Sequence, residues 1–321
     1  MSRINFAASL TAALLALGSS ALAESRQATT LEPQQAKLGS VPIIGGTVVT
    51  DASKWADTVA VIGAQGTCTG TLIAPDVVLT AGHCAPVNPT EVKLKTLDYD
   101  GAGGITATVK SITAYPNWET TYDVSVIVLN APVVGVEPRK VATACTYATG
   151  WNNNTSVHLV GFGAIDTQAQ GANSKLYEVS VPLTDAMCAS TALGCKPAAQ
   201  PAGEFAAGGA NKDSCNGDSG GPVYLDTPRG PILVGAVSRA TETSTAPCGD
   251  GGIYVRTDKV LEWIKTTTGK TIATDTCATP PGGETPDDPT NPDDPTNPTN
   301  PGGGSTGGTS NDIVGGCSTG G

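Results

Sequence analysis

Histidine is scarce in this 321-residue chain, which contains only two. Any chemistry that needs an imidazole must therefore use His83 or His158, and neither belongs to a histidine cluster of the kind that binds metals. Basic residues are also few, with 18 Lys and Arg against 29 Asp and Glu and a formal net charge of −11. Because nucleic-acid binding needs a basic surface that neutralises phosphates, this balance disfavours a nucleic-acid partner.

Charged residues make up only 15% of the chain, whereas glycine (40) and proline (23) are abundant. The chain therefore lacks the composition of a coiled coil. Long hydrophobic runs are missing too, apart from an apolar stretch around residues 10–17 that follows Arg3 and precedes the small-residue sequence Ala21-Leu22-Ala23. This pattern is typical of a secretory signal peptide, and the stretch is short for a membrane span. We expect removal of residues 1–23, no membrane span in the mature chain, and a secreted protein, extracellular or periplasmic.

Short apolar segments begin at Ile43, after a polar stretch (residues 24–42) that we interpret as a propeptide. These segments include residues 59–62, 70–73, 77–80, 124–129, 157–162, 177–183, 232–237 and 253–256. Short strands separated by turn residues predict an all-β sandwich or barrel. A single helix is predicted near residues 257–269, with Thr257 or Asp258 as its cap and Gly269 at its end. Its shared apolar face consists of Val260, Leu261 and Ile264.

The composition changes again after Cys277. Residues 278–321 contain 8 of the 23 prolines and 11 of the 40 glycines, and the sequence DDPTNP occurs at 287–292 and again at 293–298. The segment has no Lys, Arg, Leu, Met or aromatic residue, so it cannot bury enough apolar surface to offset the entropy lost on ordering. We expect a disordered tail. The tail carries a charge of −6 and residues 1–42 carry +1, so −6 of the net −11 belongs to the globular region.

Three short motifs occur in a fixed order within the strand-rich region. They are TAGHC at 80–84, DVSVIVL at 123–129 and CNGDSGGP at 215–222. Together they resemble the chymotrypsin/trypsin family of serine proteases, in a secreted and bacterial form, and the resemblance extends from about Ile43 to Ile264. The order His, Asp, Ser differs from that of subtilisins and α/β-hydrolases. The resemblance implies a protease domain (residues 43–277) made of two antiparallel β-barrels, with the active site between them and a short C-terminal helix.

The resemblance also implies a role for each motif residue. Ser219 would be the nucleophile, His83 the general base and acid, and Asp123 the carboxylate that orients the imidazole. The backbone N–H groups of Gly217 and Ser219 would form the oxyanion hole. These roles have a physical basis, since a serine hydroxyl is a poor nucleophile without an adjacent base and the usual pKa of histidine suits that task. His158, inside an apolar segment, is interpreted as an ordinary strand residue.

Members of this family are activated when proteolysis frees an Ile or Val amine, which pairs with the Asp just before the nucleophile. The matching residues here are Ile43 and Asp218. A buried ammonium–carboxylate pair is tenable only when both members are present, so we expect a latent zymogen that is activated by cleavage before Ile43. Pro42 precedes that bond instead of Lys or Arg, and we therefore expect a separate activating protease. Cleavage before Ile44 is the close alternative.

Substrate preference in the family depends on the residue six before the nucleophile, which is Asp213 here. A carboxylate at the base of a narrow pocket selects the long cationic side chains of Arg and Lys. The other substrate-binding residues implied by the resemblance are Ser214, Ser238, Ala240 and Gly252. Ser238 also matches the position that supports the orienting carboxylate. Arg239 and Ala240 depart from the family pattern, because they replace an aromatic residue and a glycine in one pocket wall.

Nine cysteines in an exported chain predict disulfide bonds, with one cysteine left over. Family positions suggest Cys68–Cys84 and Cys215–Cys248, and Cys188–Cys195 fits a local loop. The remaining cysteines allow two solutions. A Cys145–Cys277 bond would fasten the end of the domain to the connection between the barrels and leave Cys317 available for surface attachment through the tail. A Cys277–Cys317 bond is the alternative.

These observations predict a secreted serine endopeptidase that hydrolyses peptide bonds after Arg or Lys through an acyl-enzyme. We expect protein or peptide substrates, a monomer, and no cofactor or metal. One alternative is a catalytically inert protease homologue that acts as a binding module, because the altered wall at Arg239 and Ala240 leaves that reading open. Another is a tail that binds a partner while the domain cleaves.

Overall fold

A computed structural model describes residues 42–148, 150–171 and 173–277 of the chain. The expected signal peptide, nearly all of the expected propeptide, the tail and Cys317 lie outside these described residues. The described chain begins with a single helical turn, α1 (Pro42–Gly45), in which Ile43 has a positive φ of 32°. A two-residue strand, β1 (Thr47–Val48), follows it.

Six antiparallel strands close into a first barrel. They are β2 (Thr58–Gly63), β3 (Gly66–Ala74), β4 (Val77–Thr80), β5 (Pro89–Leu94), β6 (Ile105–Ala114) and β7 (Ser125–Leu129). Their order around the barrel is β2-β3-β4-β7-β6-β5, and β5 pairs with β2 to close the ring. Alternate side chains fill the interior, where Val59 and Val61 of β2 meet Leu72 of β3 and Val92 of β5.

A second barrel is built from the remaining six strands. They are β8 (Ser156–Gly161), β9 (Tyr177–Asp185), β10 (Glu204–Ala207), β11 (Pro222–Leu225), β12 (Ile232–Ala240) and β13 (Gly252–Arg256). The ring runs β8-β9-β10-β13-β12-β11 and closes through pairing of β11 with β8, while β1 adds to the free edge of β9. The predicted fold of two antiparallel barrels is therefore confirmed.

Some strands, such as β2 and β4, are buried on both faces because the barrels also pack against each other. In β2, Val59 and Val61 point into the first barrel, whereas Ala60 belongs to a separate cluster that includes Tyr224 and Leu233 of the second barrel. Asp57 links the barrels by polar contacts. It is buried, accepts hydrogen bonds from Arg139 and from the Tyr224 hydroxyl, and is thereby neutralised. This interface sets the cleft in which the motif residues meet.

The predicted C-terminal helix is α3 (Thr257–Thr268), and its buried face is Val260, Leu261 and Ile264 as expected. Gly269 ends it in the left-handed conformation and donates its N–H to the Lys265 carbonyl. The predicted cap is wrong, because neither candidate side chain caps the first turn. Thr257 instead donates its hydroxyl to the Leu233 carbonyl, and Asp258 binds Arg256. A shorter helix, α2 (Ala144–Ala148), lies between the barrels in sequence.

Four disulfide bonds are present among the described residues. They are Cys68–Cys84, Cys145–Cys277, Cys188–Cys195 and Cys215–Cys248. Cys277 bonds to Cys145, so the alternative Cys277–Cys317 pairing does not occur. In the part of the chain that is described, none of the helices combines the length and the hydropathy needed to cross a bilayer.

Candidate active site

His83 lies at the cleft because of how the chain leaves β4. The strand ends at Thr80 and a short 3₁₀ helix, Gly82–Val87, begins at once, with the Cys68–Cys84 disulfide tying it back to β3. Gly82 is the residue that permits this approach, since a Cβ there would fall 2.8 Å from Cβ of Trp118. The imidazole is about one-third exposed, and its ring centre lies 6.2 Å from that of Trp118.

Asp123 precedes β7 and holds His83 by two hydrogen bonds. Its Oδ1 accepts the His83 backbone N–H at 2.9 Å, and its Oδ2 lies 2.8 Å from Nδ1 of the ring. The Ser238 hydroxyl donates to the same Oδ2 at 2.7 Å. Burial acts to raise the pKa of Asp123, but the hydrogen bonds from His83 and Ser238 outweigh it and hold the pKa below its usual range. Asp123 therefore stays ionised beside the ring.

This arrangement gives the imidazole one free nitrogen. With Nδ1 bound to a carboxylate, Nε2 is left to accept a proton from a neighbouring hydroxyl, and the carboxylate stabilises the imidazolium that results. Among the described residues, the Ser219 hydroxyl makes no hydrogen bond to His83. Such contacts are often long before substrate binds and shorten in the reacting complex.

Ser219 belongs to the loop that enters β11. Thr69 of the first barrel holds this loop, because its hydroxyl donates to the Gly217 carbonyl at 2.8 Å and its N–H donates to the Ser219 carbonyl at 2.9 Å. Gly217 has a φ of 96°, a conformation that favours glycine. Within the described residues, the N–H groups of Gly217 and Ser219 have no hydrogen-bond acceptor. Two such donors in one loop can stabilise a negatively charged oxygen.

Asp218 is fully buried between the loop and β8. Its carboxylate accepts the Gly163 N–H at 2.8 Å and the Cys215 N–H at 2.9 Å. Burial, together with the nearby negative charge of Asp213, raises the pKa of Asp218 to about 7. The two N–H donors act to lower it but do not supply a countercharge. Ile43 is also buried, and its neighbour Ile44 accepts the Asp213 N–H at 3.0 Å. The segment that begins at Ile43 is thus already packed against the region of the loop.

A cavity of about 80 Å³ opens beside the loop, and it is lined by Ser219 and by three of the expected substrate-binding residues, Ser214, Ser238 and Ala240. Asp213 does not line it. The Asp213 carboxylate is buried and accepts the N–H groups of Gly249 and Gly251 at 3.1 and 3.0 Å. Burial raises its pKa despite those bonds. Gly252 lies against it, since a Cβ there would be 3.2 Å from Asp213 Oδ1.

Sequence reasoning noted Arg239 but missed its partner, Glu204. The guanidinium contacts both carboxylate oxygens of Glu204, at 2.7 and 3.1 Å, and also donates to the Ser238 hydroxyl at 3.0 Å. A signal for this pair was present, because each residue is a lone charge in an otherwise buried strand, β12 or β10. Buried charges are seldom left unpaired. The second histidine, His158, lies in β8 and bonds to Asp226 at 2.9 Å.

Comparison with known proteins agrees with this geometry. The family model described as Trypsin matches residues 43–264. Trypsin 5G1 of Aedes aegypti is 29% identical over 228 residues, which cover 65% of this chain and 77% of that protein. A trypsin of Saccharopolyspora erythraea is 30% identical over 209 residues, covering 62% of this chain and 86% of that protein. Trypsin Blo t 3 of Blomia tropicalis is 28% identical over 219 residues, which cover 62% of this chain and 76% of that protein. The chain therefore belongs to the trypsin family of serine proteases.

Proposed function

We propose that this chain is a secreted serine endopeptidase that cleaves after Arg or Lys and is made as a zymogen activated by cleavage before Ile43. The observation that carries the proposal is the continuous hydrogen-bonded arrangement of Ser238, Asp123 and His83 beside a loop with two N–H donors that have no acceptor in the described part of the chain. Four disulfide bonds support an oxidising compartment, and the sequence of residues 1–23 supports export.

The proposed reaction uses groups of this chain alone. His83 Nε2 takes the proton of the Ser219 hydroxyl while Oγ forms a bond to the carbonyl carbon of the substrate. The oxygen of that carbonyl becomes negative and is stabilised by the N–H groups of Gly217 and Ser219. The imidazolium, held by Asp123, then gives its proton to the leaving amine as the C–N bond breaks. Water hydrolyses the remaining acyl-enzyme by the same steps in reverse order.

The proposed preference for Arg and Lys rests on Asp213. It adjoins Ser214, which lines the cavity, and Gly252, and no cationic side chain neutralises it among the described residues. A guanidinium or ammonium entering from the cavity would supply that charge. In the uncut chain Oδ2 accepts the N–H groups of Gly249 and Gly251 and Oδ1 accepts that of Ser214, so a substrate cation must share or replace these hydrogen bonds.

The proposed activation follows from the charge balance at Asp218. In the uncut chain this carboxyl is buried, no cation lies beside it among the described residues, and it stays protonated to about pH 7. Cleavage before Ile43 creates an ammonium group in a segment that is already packed nearby. A buried carboxylate is stabilised when a cation pairs with it, so the cut would favour the conformation in which Asp218 is ionised. A separate protease is proposed to make the cut, since Pro42 precedes it.

This account predicts an unusual pH dependence for the uncut chain, studied as the Ser219→Ala variant to prevent self-cleavage. Between the usual pKa of 3.8 and about 7, folded Asp218 keeps a proton that the unfolded chain has released. The stabilisation of the folded chain by Asp218 is therefore fully present below pH 3.8. As pH rises to 7 this stabilisation is lost, and the free energy of unfolding falls by at most roughly 4 kcal/mol. Urea unfolding at pH 4.5 and 7.5 measures this change.

Asp218→Asn provides the control, since an amide does not titrate. The fall in stability between the two pH values should be smaller in this variant than in the parent by the contribution of Asp218. The parent cleaved before Ile43 should also show a smaller fall, because the new ammonium pairs with the ionised carboxylate. An equal pH dependence in the parent and in Asp218→Asn would contradict the assigned role of Asp218.

The activation site is tested on active material. The secreted protein is labelled with a fluorophosphonate, which reacts with activated serines, and the labelled species is sequenced from its N-terminus. We expect Ile43 as the first residue and no labelling of the uncut chain. Labelled protein that begins elsewhere would overturn the proposed activation. Processed protein that begins at Ile43 but takes no label would favour the inert binding module.

A further inference from the structure

Arg239 and Glu204 form a charged pair directly behind Asp123. Glu204, the first residue of β10, has a side chain that is only 1% exposed, and that of Arg239 is 27% exposed. The guanidinium binds the carboxylate through both terminal nitrogens and also donates to the Gly194 carbonyl. Glu204 Oε2 accepts a further hydrogen bond from the Lys196 N–H at 2.8 Å. Both side chains are therefore held in fixed positions.

The pair continues into the catalytic residues through one hydroxyl. Arg239 Nη1 donates to Ser238 Oγ at 3.0 Å, and Ser238 Oγ donates to Asp123 Oδ2 at 2.7 Å. We propose that Arg239 and Glu204 are positioning residues, which fix the direction of the Ser238–Asp123 hydrogen bond and set the charge felt by His83. This inference rests on the proposed function for its relevance to catalysis, but the geometry behind it does not.

The first effect is on the direction of a hydrogen bond. A serine hydroxyl can rotate, and it can donate only one proton. Arg239 has no acceptor atom, so it must donate to Ser238 Oγ and thereby occupies one lone pair of that oxygen. The Ser238 proton is left to point at Asp123. Without Arg239, the hydroxyl is free to turn to other acceptors, and Asp123 loses part of the support that keeps it ionised and in place.

The second effect is electrostatic. Arg239 is the member of the pair that binds Ser238, which in turn binds Asp123, whereas Glu204 is joined to this series of hydrogen bonds through Arg239. Removing Glu204 leaves an uncompensated cation, which disfavours protonation of His83. Removing Arg239 takes away that cation, whether Glu204 stays charged or takes up a proton, and so favours protonation. The charged or titratable groups that face this site are His83, Asp123, Arg239, Glu204, Lys196 and Glu119.

The two substitutions should therefore move the pKa of His83 in opposite directions. Arg239→Gln is expected to raise it and Glu204→Gln to lower it, each by roughly 0.5 to 1 unit, as expected for one charge acting at an effective dielectric constant of about 20. NMR titration of the imidazole measures the shift directly, and the chain has only one other histidine. His158→Gln assigns the signals. All chains carry Ser219→Ala, so no enzymatic activity is needed.

Matched controls remove comparable charges elsewhere. Arg229→Gln breaks the pair with Asp275, and Glu262→Gln breaks an exposed pair on α3. Neither should move the His83 pKa by more than about 0.2 unit, because Arg229 and Glu262 are themselves exposed, where charges are screened, and neither hydrogen-bonds to His83, Asp123 or Ser238. Opposite shifts in the two test variants and none in the controls support the inference. Shifts of the same sign, or shifts no larger than those of the controls, overturn it.

A double variant separates positioning from a purely structural role. Arg239→Met with Glu204→Leu removes both charges together, and such apolar replacements of buried pairs often preserve stability. In the processed enzyme with Ser219 intact, we expect kcat on an arginine p-nitroanilide to fall about five- to tenfold, because Ser238 has lost its donor. Arg239 also lines the cavity, so KM is measured separately and the inference is judged on kcat alone. A folded double variant with the parent kcat would overturn the inference.

If Arg239→Gln does not fold, the inference is tested by the His83 pKa of Glu204→Gln and by kcat of the double variant. Absence of turnover in the parent contradicts the proposed function and leaves the NMR result standing.

Discussion

Replacing Ser219 by Ala is expected to lower kcat of the processed enzyme by on the order of 10⁶-fold. The hydroxyl is the only group proposed to form a bond to the substrate, so its loss removes the acyl-enzyme route altogether. The fold should be preserved, because the contacts that hold the residue in place are made by its backbone carbonyl and by Thr69. The measurement is kcat on an arginine p-nitroanilide, together with the melting temperature.

Ser111→Ala is the matched control for this substitution. Ser111 is exposed on β6, on the outside of the first barrel, and its replacement should leave both kcat and melting temperature unchanged. A Ser219→Ala enzyme that keeps more than about a hundredth of the parent kcat would contradict the assignment of Ser219 as the nucleophile. A loss of melting temperature would instead show that Ser219 has a structural role.

Replacing Asp213 by Ser is expected to lower kcat/KM for substrates with Arg before the cut by about 10⁴-fold, because a buried cation would then have no countercharge. Substrates with Phe or Ala at that position should lose no activity. A panel of p-nitroanilides that differ only in this residue measures the change. Fluorophosphonate labelling of Ser219 should persist, since His83 and Asp123 are untouched.

Asp226→Ser controls for the loss of an acidic residue. Asp226 is exposed, and its carboxylate contacts His158 instead of any residue proposed to act on the substrate. Its replacement should leave the preference between Arg and Phe unchanged. If the parent enzyme prefers Phe or Ala, or if Asp213→Ser still prefers Arg, the proposed specificity is wrong.

The pocket adds a requirement that the sequence did not reveal. Asp213 can be identified from its distance to Ser219 in the sequence, but its environment depends on residues 249–251, which lie in a different loop. The hydrogen bonds from Gly249 and Gly251 are made by backbone atoms, and no side-chain pattern records them. A cation that binds this carboxylate must therefore share or replace hydrogen bonds that only the coordinates show.

The strands were the part of the fold most accessible from sequence. Runs such as Val77–Thr80 are apolar on both faces because one face fills a barrel and the other packs between barrels. Two strands with one solvent-facing side, β6 and β9, alternate between more and less buried residues, and only β9 was among the predicted segments. The helix α3 was located by its apolar spacing, but the prediction of its cap was wrong. The side chains of Thr257 and Asp258 hydrogen-bond to Leu233 and Arg256 instead of to the first turn of the helix.

In the candidate site, too, some residues could be identified from the sequence and others depend on tertiary contacts. His83, Asp123 and Ser238 could be identified because each belongs to a short motif or aligns with a family position, and the structure brings them together. The partner of Cys277 remained open, because three cysteines far apart in sequence allow two pairings. Glu204 was missed because a lone acidic residue in an apolar strand gives no indication of which cation it meets.

The most direct test of the central claim is to map every cleavage that the enzyme makes in a protein of known sequence. The processed enzyme is incubated with an unfolded substrate protein, and the products are identified by mass spectrometry. We predict cuts after Arg and Lys, none with the uncut chain, and none with Ser219→Ala. Cuts after other residues, or cuts that persist in Ser219→Ala, would contradict the account.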